Sequence, residues 1–312
     1  MSAPKPPAHF VLGTVQLGQP YGKIRKFDFP SHDEAVALMR RAADLGVREF
    51  DTARNYGVAE MRLGDAFDPA VSPLPAGRRI VTKLHPLQHV PADAPEWAVR
   101  AAIDASVYAT CRALRIRHIP LLMLHLVYVR DAWNGAAWRR LLELREEGVI
   151  GDFGMSAVSP EEALRYLDET EFKHMQVPIN ILDHRWMALG AARKFATRPD
   201  VTVHARSIFL QGVLLQQDPA GWPPHCTEAP ALIAWLREQV AMCGLVNVAE
   251  LAVAYLRALG WLDGLVVGVE NEAQLTANLP LFDLPPLDPA QVAAIDASRP
   301  QFDDRLLEPG RW

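Results

Sequence analysis

The sequence predicts an α/β protein of the (β/α)8, or TIM-barrel, class. Short apolar runs alternate along the 312 residues with stretches of helical periodicity, and eight such units can be traced. Several runs are apolar at consecutive positions, which is typical of parallel strands buried on both faces. A doubly wound sheet usually has fewer units and a glycine-rich first turn, and neither GxGxxG nor GxxxxGKS/T occurs here. A closed barrel is therefore favoured.

The apolar runs are the predicted strands. In chain order they cover Phe10–Leu17, Val47–Thr52, Arg79–Leu84, Ile119–Leu126, Ile150–Ser156, Met175–Asn180, Val201–Ile208 and Gly264–Val269.

Helix start signals mark several of the segments between the strands. Ser31 and Glu34 have capping-box spacing, apolar residues follow at helical period, and Gly46 ends that helix. The start signal recurs at Ser159-Pro160 and, more weakly, at Asn271. Helical periodicity also marks Trp97–Leu114, Trp138–Glu147, Met187–Ala196, Leu232–Cys243 and Val248–Leu259.

Composition and charge favour a protein that acts on a small molecule. The formal net charge is -5 and the basic residues are scattered, so neither a nucleic-acid groove nor attachment to a membrane surface is indicated. The pattern leaves the oligomeric state open. No domain boundary is evident, and we expect one domain over residues 1–312, with a C-terminal tail of about 298–312 near the active-site mouth. The segment 216–230 is expected either to cover the site or to be a solvated loop.

The cysteines and the N-terminus indicate a reducing compartment. Cys111, Cys226 and Cys243 are too few and too irregularly spaced for a disulfide framework or a CxxC metal site, so no metal is predicted. The first residues lack the apolar core of a signal peptide, and no apolar run reaches the length of a membrane span. We therefore expect a cytoplasmic protein.

Four polar side chains follow three successive predicted strands. Asp51 ends the second strand, Tyr56 lies in the loop after it, and Lys83 and His125 end the third and fourth strands. Barrel active sites are built at that end of the strands. A phenol is protonated at neutral pH, and a nearby lysine, itself kept charged by a carboxylate, would stabilise the phenolate left after proton donation. With His125 orienting a carbonyl oxygen, the group predicts carbonyl reduction with Tyr56 as general acid or base.

Motifs from the first strand to the last helix form an ordered set, which is Gly13-Thr14, Asp51-Thr-Ala-Arg-Asn-Tyr56-Gly57, Thr82-Lys83, Leu124-His125, Gly154-Met-Ser156, Gln176-Val-Pro-Ile-Asn180, Ser207 with Gly212, and Gly268 followed by Gln274 and Asn278. This set resembles the aldo-keto reductase superfamily over nearly the whole chain. The strings Gly13–Gly22, Asn180–Arg185 and Arg206–Gly212 are more like a bacterial branch found with sugar-metabolism genes.

The resemblance implies a (β/α)8 barrel that binds NADP(H) or NAD(H), with the cofactor preference left open. It assigns Asp51, Tyr56, Lys83 and His125 to the catalytic tetrad. The cofactor-binding residues that it implies are Gly13, Thr14, Ser156, Gln176, Arg206, Ser207, Leu210, Gly268, Glu270, Gln274 and Asn278.

Three residues depart from the family pattern in the implied cofactor pocket. Ala157 stands where an asparagine is common, which removes a hydrogen-bonding group. Arg206 replaces an aromatic residue, and its planar guanidinium could stack in that place. Glu270 stands where NADP-preferring members often carry a cation; a carboxylate repels a 2′-phosphate and can accept a bond from a ribose hydroxyl. Glu270 therefore favours NAD or dual use, unless it simply faces solvent.

Loops after the strands give the candidate substrate pocket, which is Tyr21, Tyr128, Trp133, Arg185 and Trp186. Aromatic walls with arginines would suit a polyhydroxylated or anionic carbonyl compound. Two alternatives to carbonyl reduction stay open. One is an NAD-dependent aldose dehydrogenase that runs the reverse direction on a sugar hemiacetal. The other is a cofactor-binding regulatory protein on a reductase scaffold.

Overall fold

A computed structural model describes residues 5–22 and 28–312, and its eight parallel strands close into a barrel in chain order. The closure is made by β1 pairing with β8, so that His9 lies beside Gly264 and Gly13 beside Gly268. This confirms the predicted fold class. The strands are β1 His9–Gly13, β2 Glu49–Asp51, β3 Arg79–Lys83, β4 Ile119–Leu124, β5 Ile150–Ser156, β6 Phe172–Pro178, β7 Thr202–Arg206 and β8 Gly264–Gly268.

The strands match the predicted apolar runs, and several end earlier than predicted. The run Phe10–Leu17 shows the reason. Its strand stops at Gly13 because both the backbone N–H and the hydroxyl of Thr14 donate to the Asp51 carbonyl, at 2.9 Å each. Val15–Leu17 then forms a short 3-10 helix. The predicted strand residues beyond Gly13 therefore belong to the loop after β1.

Helices cover the outside of the barrel. They are α1 His32–Asp44, α2 Ala59–Ala66, α3 Glu96–Leu114, α4 Ala136–Glu146, α5 Pro160–Arg165, α6 Arg185–Ala188, α7 Ala191–Phe195, α8 Ala229–Met242, α9 Val248–Ala258, α10 Glu272–Asn278 and α11 Pro289–Ser298. Among the described residues, none of these helices is long and apolar enough to cross a membrane.

The start signals are confirmed, and one helix prediction is wrong. Ser31 makes the capping box with Glu34, while Ser159 and Asn271 each accept a bond from a backbone N–H in the first turn. The segment Met187–Ala196 was predicted as one helix but is two, because Gly190 has a left-handed backbone with φ of +65°. The short helix α2 lacks a side-chain cap, so no start signal marks it in the sequence.

Apolar residues between sheet and helices form the main core, while polar side chains are buried at both ends of the barrel. Asp51, Lys83 and Gln176 lie near the carboxyl ends of their strands. Glu49 lies at the amino end of β2, and buried His204 lies near that level of the sheet, opposite Gly264 at the start of β8. The two polar groups are taken in turn below.

Candidate active site

A cavity of about 610 Å³ opens at the carboxyl ends of the strands. Its floor includes the last residues of four strands, which are Gly13, Asp51, Ser156 and Gly268. The loops after β1, β2 and β7 form its sides. This is the end of a barrel at which loops build binding and catalytic sites.

Asp51 lines this cavity and pairs, as predicted, with Lys83, which is fully buried and does not itself line it. Lys83 Nζ donates to Asp51 Oδ1 at 2.7 Å and to the Thr52 carbonyl at 3.0 Å. Gln176 Nε2, from the opposite side of the barrel, donates to the same Asp51 oxygen at 2.7 Å. Asp51 and Thr52 therefore fix the ammonium group directly, and Gln176 fixes Asp51. The Lys83 side chain is 0% exposed.

Lys83 stays charged despite its burial. Burial by itself disfavours the ammonium, but the Asp51 carboxylate, together with Tyr56, outweighs it, so the pKa of Lys83 is raised. A buried ammonium that keeps its proton is a fixed positive charge at the base of the site. Such a charge stabilises an anion that forms beside it.

Tyr56 lies between this ammonium and His125. Lys83 Nζ is 5.0 Å from the centre of the Tyr56 ring, and the His125 ring packs edge-on at 5.6 Å. Burial raises the pKa of Tyr56, and the charge of Lys83 opposes part of that rise. The phenol is therefore protonated at neutral pH and has a cation beside it to stabilise its anion.

His125 is held as the neutral imidazole. Burial, followed by the charges of Lys83 and Arg206, lowers its pKa to about 3. Its Nδ1 is buried and has no hydrogen-bond partner among the described residues. A neutral ring can donate a hydrogen bond to a carbonyl oxygen without changing charge near pH 7.

The loop that carries Tyr56 is fixed by a buried carboxylate. Glu60 accepts from Thr82 at 2.7 Å and from Thr110 at 2.9 Å, and it pairs with Arg54 within the loop. Because the backbone N–H of Arg54 also donates to the Lys83 carbonyl at 3.0 Å, the loop is joined to the last residue of β3.

Two glycines allow the loops after β1 and β2 to touch. Val58 N–H donates to the Gly18 carbonyl at 3.0 Å. A Cβ on Gly18 would lie 2.0 Å from the Tyr56 carbonyl, and one on Gly57, where φ is +54°, would lie 2.3 Å from the Gly18 carbonyl. Any side chain at either glycine would push the two loops apart.

Most of the residues predicted to bind the cofactor share this cavity. Thr14 and Leu210 are exceptions: both are fully buried, and neither lines the cavity. Thr14 instead joins β1 to β2 through its bonds to Asp51. Those that do line it are Gly13, Ser156, Gln176, Arg206, Ser207, Gly268, Glu270, Gln274 and Asn278.

Two of the residues that depart from the family pattern face the cavity. Arg206 donates to the Ala157 carbonyl at 2.8 Å, so its guanidinium lies on the cavity wall beside Ala157. At the other end, Gln274 donates to Glu270 Oε2 at 3.2 Å and accepts from the Glu270 backbone at 2.8 Å. Glu270 therefore lines the cavity and does not simply face solvent.

Only one of the five substrate-pocket candidates lines the cavity, which is Tyr21. Trp186 is 0% exposed, donates to the Pro178 carbonyl and packs on Trp261 in the core. Arg185 is bound to Asp183 at 2.8 Å. Tyr128 and Trp133 pack on each other and hydrogen-bond to the Pro86 and Pro91 carbonyls, respectively.

The sequence analysis missed several polar residues of the cavity. Gln16 Oε1 and Asn55 Oδ1 are both buried, and neither has a hydrogen-bond partner among the described residues. Gln211 reaches the cavity from the loop after β7. Asn55 and Gln211 each follow a predicted strand by three residues, which was the available signal, whereas Gln16 fell inside the predicted strand Phe10–Leu17.

The chain is similar to known proteins in both sequence and fold. The aldo/keto reductase family model matches residues 9–300. The D-threo-aldose 1-dehydrogenase of a Pseudomonas species is 28% identical over a 212-position alignment that covers 61% of this chain and 64% of that protein. The aligned part thus spans less than two thirds of the relative.

Solved aldo-keto reductases have a similar fold. The holo form of one from Bacillus halodurans superposes with a TM-score of 0.71 at 21% identity and covers 93% of this chain and 92% of its own. A thermostable aldo-keto reductase crystallised with the inhibitor epalrestat gives 0.67 at 20% identity, with 92% and 94% covered. At these identities the likeness supports the fold alone.

Proposed function

Because the chain belongs to the aldo/keto reductase family, we propose that it is an NAD(P)(H)-dependent oxidoreductase that interconverts an aldehyde or ketone and an alcohol. The observation that carries this proposal is the buried Asp51–Lys83 pair beside Tyr56. Asp51 and Tyr56 line a cavity of about 610 Å³, which would receive a cofactor and a small substrate. A buried ion pair beside a protonated phenol supports proton transfer between that phenol and a bound substrate.

In the direction of reduction, Tyr56 donates its proton to the carbonyl oxygen of the substrate. When bound, NAD(P)H supplies the hydride to the carbonyl carbon. Lys83 stabilises the phenolate that remains on Tyr56, and Asp51 keeps Lys83 charged and in place. His125 donates a hydrogen bond that orients the carbonyl oxygen beside the phenol.

The remaining cavity residues fit a polar ligand of cofactor size. Ser156 and Gln176 lie near the catalytic group and would hold a nicotinamide carboxamide, while Gln274 and Asn278 on α10 would approach the adenosine. The unpartnered buried oxygens of Gln16 and Asn55 support this assignment, because buried polar atoms in native proteins normally have partners.

Tyr56→Phe tests the proposed role of the phenol. We expect kcat/KM to fall about 100-fold or more, as for other losses of a general acid, while fluorescence titration shows nearly unchanged NADH and NADPH binding. The substrate panel should include neutral and carboxylated aldehydes, since Arg206 faces the cavity.

Tyr166→Phe is the matched control, because that phenol donates to Asp131 and does not line the cavity. Turnover retained by Tyr56→Phe would contradict the proposal. A wild-type protein that binds nucleotide but reduces no compound of a broad panel would favour the regulatory alternative.

A second candidate is an NAD-dependent aldose dehydrogenase. The observation that favours it is the 28% identity with the Pseudomonas D-threo-aldose 1-dehydrogenase. In that direction Tyr56 accepts a proton from the hemiacetal hydroxyl. Initial rates with NAD⁺ and a set of free aldoses distinguish the two: oxidation of aldoses faster than reduction of any aldehyde would favour the dehydrogenase.

A further inference from the structure

A second polar cluster lies at the opposite end of the barrel from the cavity. His9, Glu49 and Arg79 are the first residues of β1, β2 and β3, and His204 on β7 lies level with the first residue of β8. His174 on β6 packs edge-on against His204, with ring centres 4.2 Å apart. None of these residues lines the active-site cavity.

The histidines of this cluster are poorly satisfied by the protein. His174 and His204 are fully buried, and all four of their ring nitrogens lack a hydrogen-bond partner among the described residues. Leaving a buried polar atom without a partner is unfavourable, because the atom loses its bonds to water and gains none in return. A bound ion would give at least one of these nitrogens a partner.

Three side chains bring their ligand atoms together. His9 Nε2 is 2.9 Å from Glu49 Oε1, and His204 Nε2 is 3.6 Å from Glu49 Oε2. All three ligand atoms lie within 4.8 Å of one another. Adjacent ligands of a tetrahedral zinc ion lie roughly 3.3 Å apart, so side-chain shifts on the order of 1 Å would complete the geometry.

Arg79 does not prevent Glu49 from acting as a ligand. Its guanidinium donates to both Glu49 oxygens, at 2.8 and 3.1 Å. A carboxylate has about four acceptor positions, and carboxylates that bind metals are commonly hydrogen-bonded by a second residue. Arg79 would therefore orient Glu49.

We propose that His9, Glu49 and His204 form a binding site for a divalent zinc-like ion at the amino end of the barrel. Two imidazoles and a carboxylate are a ligand set that suits zinc, with a water molecule in the fourth position. The site would join β1, β2 and β7. Because the amino end of a barrel serves stability, the ion would hold the first strand in place and take no part in turnover.

The ion has a route to the site, because the His9 side chain is 39% exposed while His204 is fully buried. The test uses the full chain without an expression tag, stripped with EDTA and returned to chelator-free buffer. Calorimetric titration with zinc chloride should give one ion per chain. Cobalt chloride should give the visible absorption of a tetrahedral cobalt ion, and zinc should raise the melting temperature.

His9→Ala and Glu49→Gln should each weaken zinc binding at least about tenfold and remove the thermal effect. His9→Ala is the safer variant, because its side chain lies at the rim, and circular dichroism checks its fold. His32→Ala is the control: His32 is also a histidine beside a carboxylate, 3.4 Å from Asp65, but outside the cluster.

Absence of zinc or cobalt binding to the folded wild-type protein at micromolar concentrations would overturn the proposal. So would binding that His9→Ala leaves unchanged, or binding that His32→Ala weakens equally. Tyr56→Phe should bind zinc as the wild type does, so failure of the catalytic proposal would leave this one standing.

Discussion

Lys83 shows how strongly a single buried residue depends on its partner. Its ammonium has three donors, and two are used by Asp51 and the Thr52 carbonyl. Removing one member of a buried ion pair costs about 3–5 kcal/mol, because the other charge stays buried without a partner. We therefore expect variants of Asp51 or Lys83 to lose both stability and activity, whereas Tyr56→Phe should lower activity alone.

The pKa values of Tyr56 and His125 predict the pH dependence of turnover. Burial raises the pKa of Tyr56 above its usual value near 10, and the pKa of His125 is lowered to about 3. Neither group changes charge between about pH 5 and 9. The kcat for reduction should stay flat over that range and fall only as Tyr56 loses its proton, while the oxidation rate should rise there.

Pre-steady-state or steady-state pH profiles in both directions measure this. His125→Asn is the comparison variant, because its side chain cannot titrate. A step near pH 6.5 in the wild type that is missing in His125→Asn would show that the histidine titrates in the usual range, contrary to its burial.

The proposed catalytic residues could be found from the sequence because their positions follow from topology. Asp51, Lys83 and His125 end strands or follow them directly, and parallel strands of a barrel bring those ends together. Arg185 and Trp186 also come after a strand in the chain, but an ion pair with Asp183 and a core contact with Trp261 hold their side chains away from the cavity. Side-chain direction after a strand depends on packing that a single sequence does not reveal.

Helix α10 sets the adenosine end of the proposed cofactor site. Asn271 caps its first turn, and Glu270 lies just before it on the cavity wall. A helix amino terminus favours a phosphate, while the Glu270 carboxylate opposes one. The two effects act in opposite directions on a 2′-phosphate.

Glu270→Lys is expected to shift cofactor preference toward NADPH. It replaces a repulsive charge by an attractive one, and we expect the ratio of kcat/KM for NADPH to that for NADH to rise about tenfold, equivalent to about 1.4 kcal/mol. Glu272→Lys is the matched control, because Glu272 pairs with Arg41 and does not line the cavity. An unchanged ratio in Glu270→Lys would remove the inference about NAD.

Helix boundaries were predictable where a cap or a glycine marked them. The capping box at Ser31 is one example, and the start of α5 at Pro160 is another. Helix α2 depends on tertiary contact instead. A Cβ on Gly64 would lie 2.0 Å from the Ala113 carbonyl of α3, so this glycine allows the two helices to pack closely. From the sequence alone, a glycine at this position lowers the expectation of a helix.

At the scale of the whole molecule, the two buried polar groups lie at opposite ends of the barrel. The cavity and the proposed tetrad lie at the carboxyl ends of the strands, and the histidine cluster lies at the amino ends. The tail is tied to the loop after β6, where Arg299 donates to the Ile181 carbonyl at 3.0 Å. Its place at the active-site mouth remains a prediction.

Trp186→Ala tests whether that tryptophan belongs to the core or to the substrate pocket. Its ring is enclosed with Phe195 and Trp261, so we expect a loss of about 3–5 kcal/mol in the free energy of unfolding and an unchanged KM. Urea unfolding and initial rates below the transition measure the two effects.

Trp97→Ala is the control, because Trp97 is 73% exposed and should change stability by no more than about 0.5 kcal/mol. A raised KM with unchanged stability in Trp186→Ala would show that this residue belongs to the substrate pocket.

The contact between Gly18 and Gly57 has a consequence for protein engineering. Since neither position has room for a β-carbon, the loops after β1 and β2 fit each other only as a matched pair. Grafting the first loop from another barrel to alter specificity would displace the segment that presents Tyr56, unless the second loop were transplanted with it. Loop exchange in this scaffold should therefore treat both loops as one cassette.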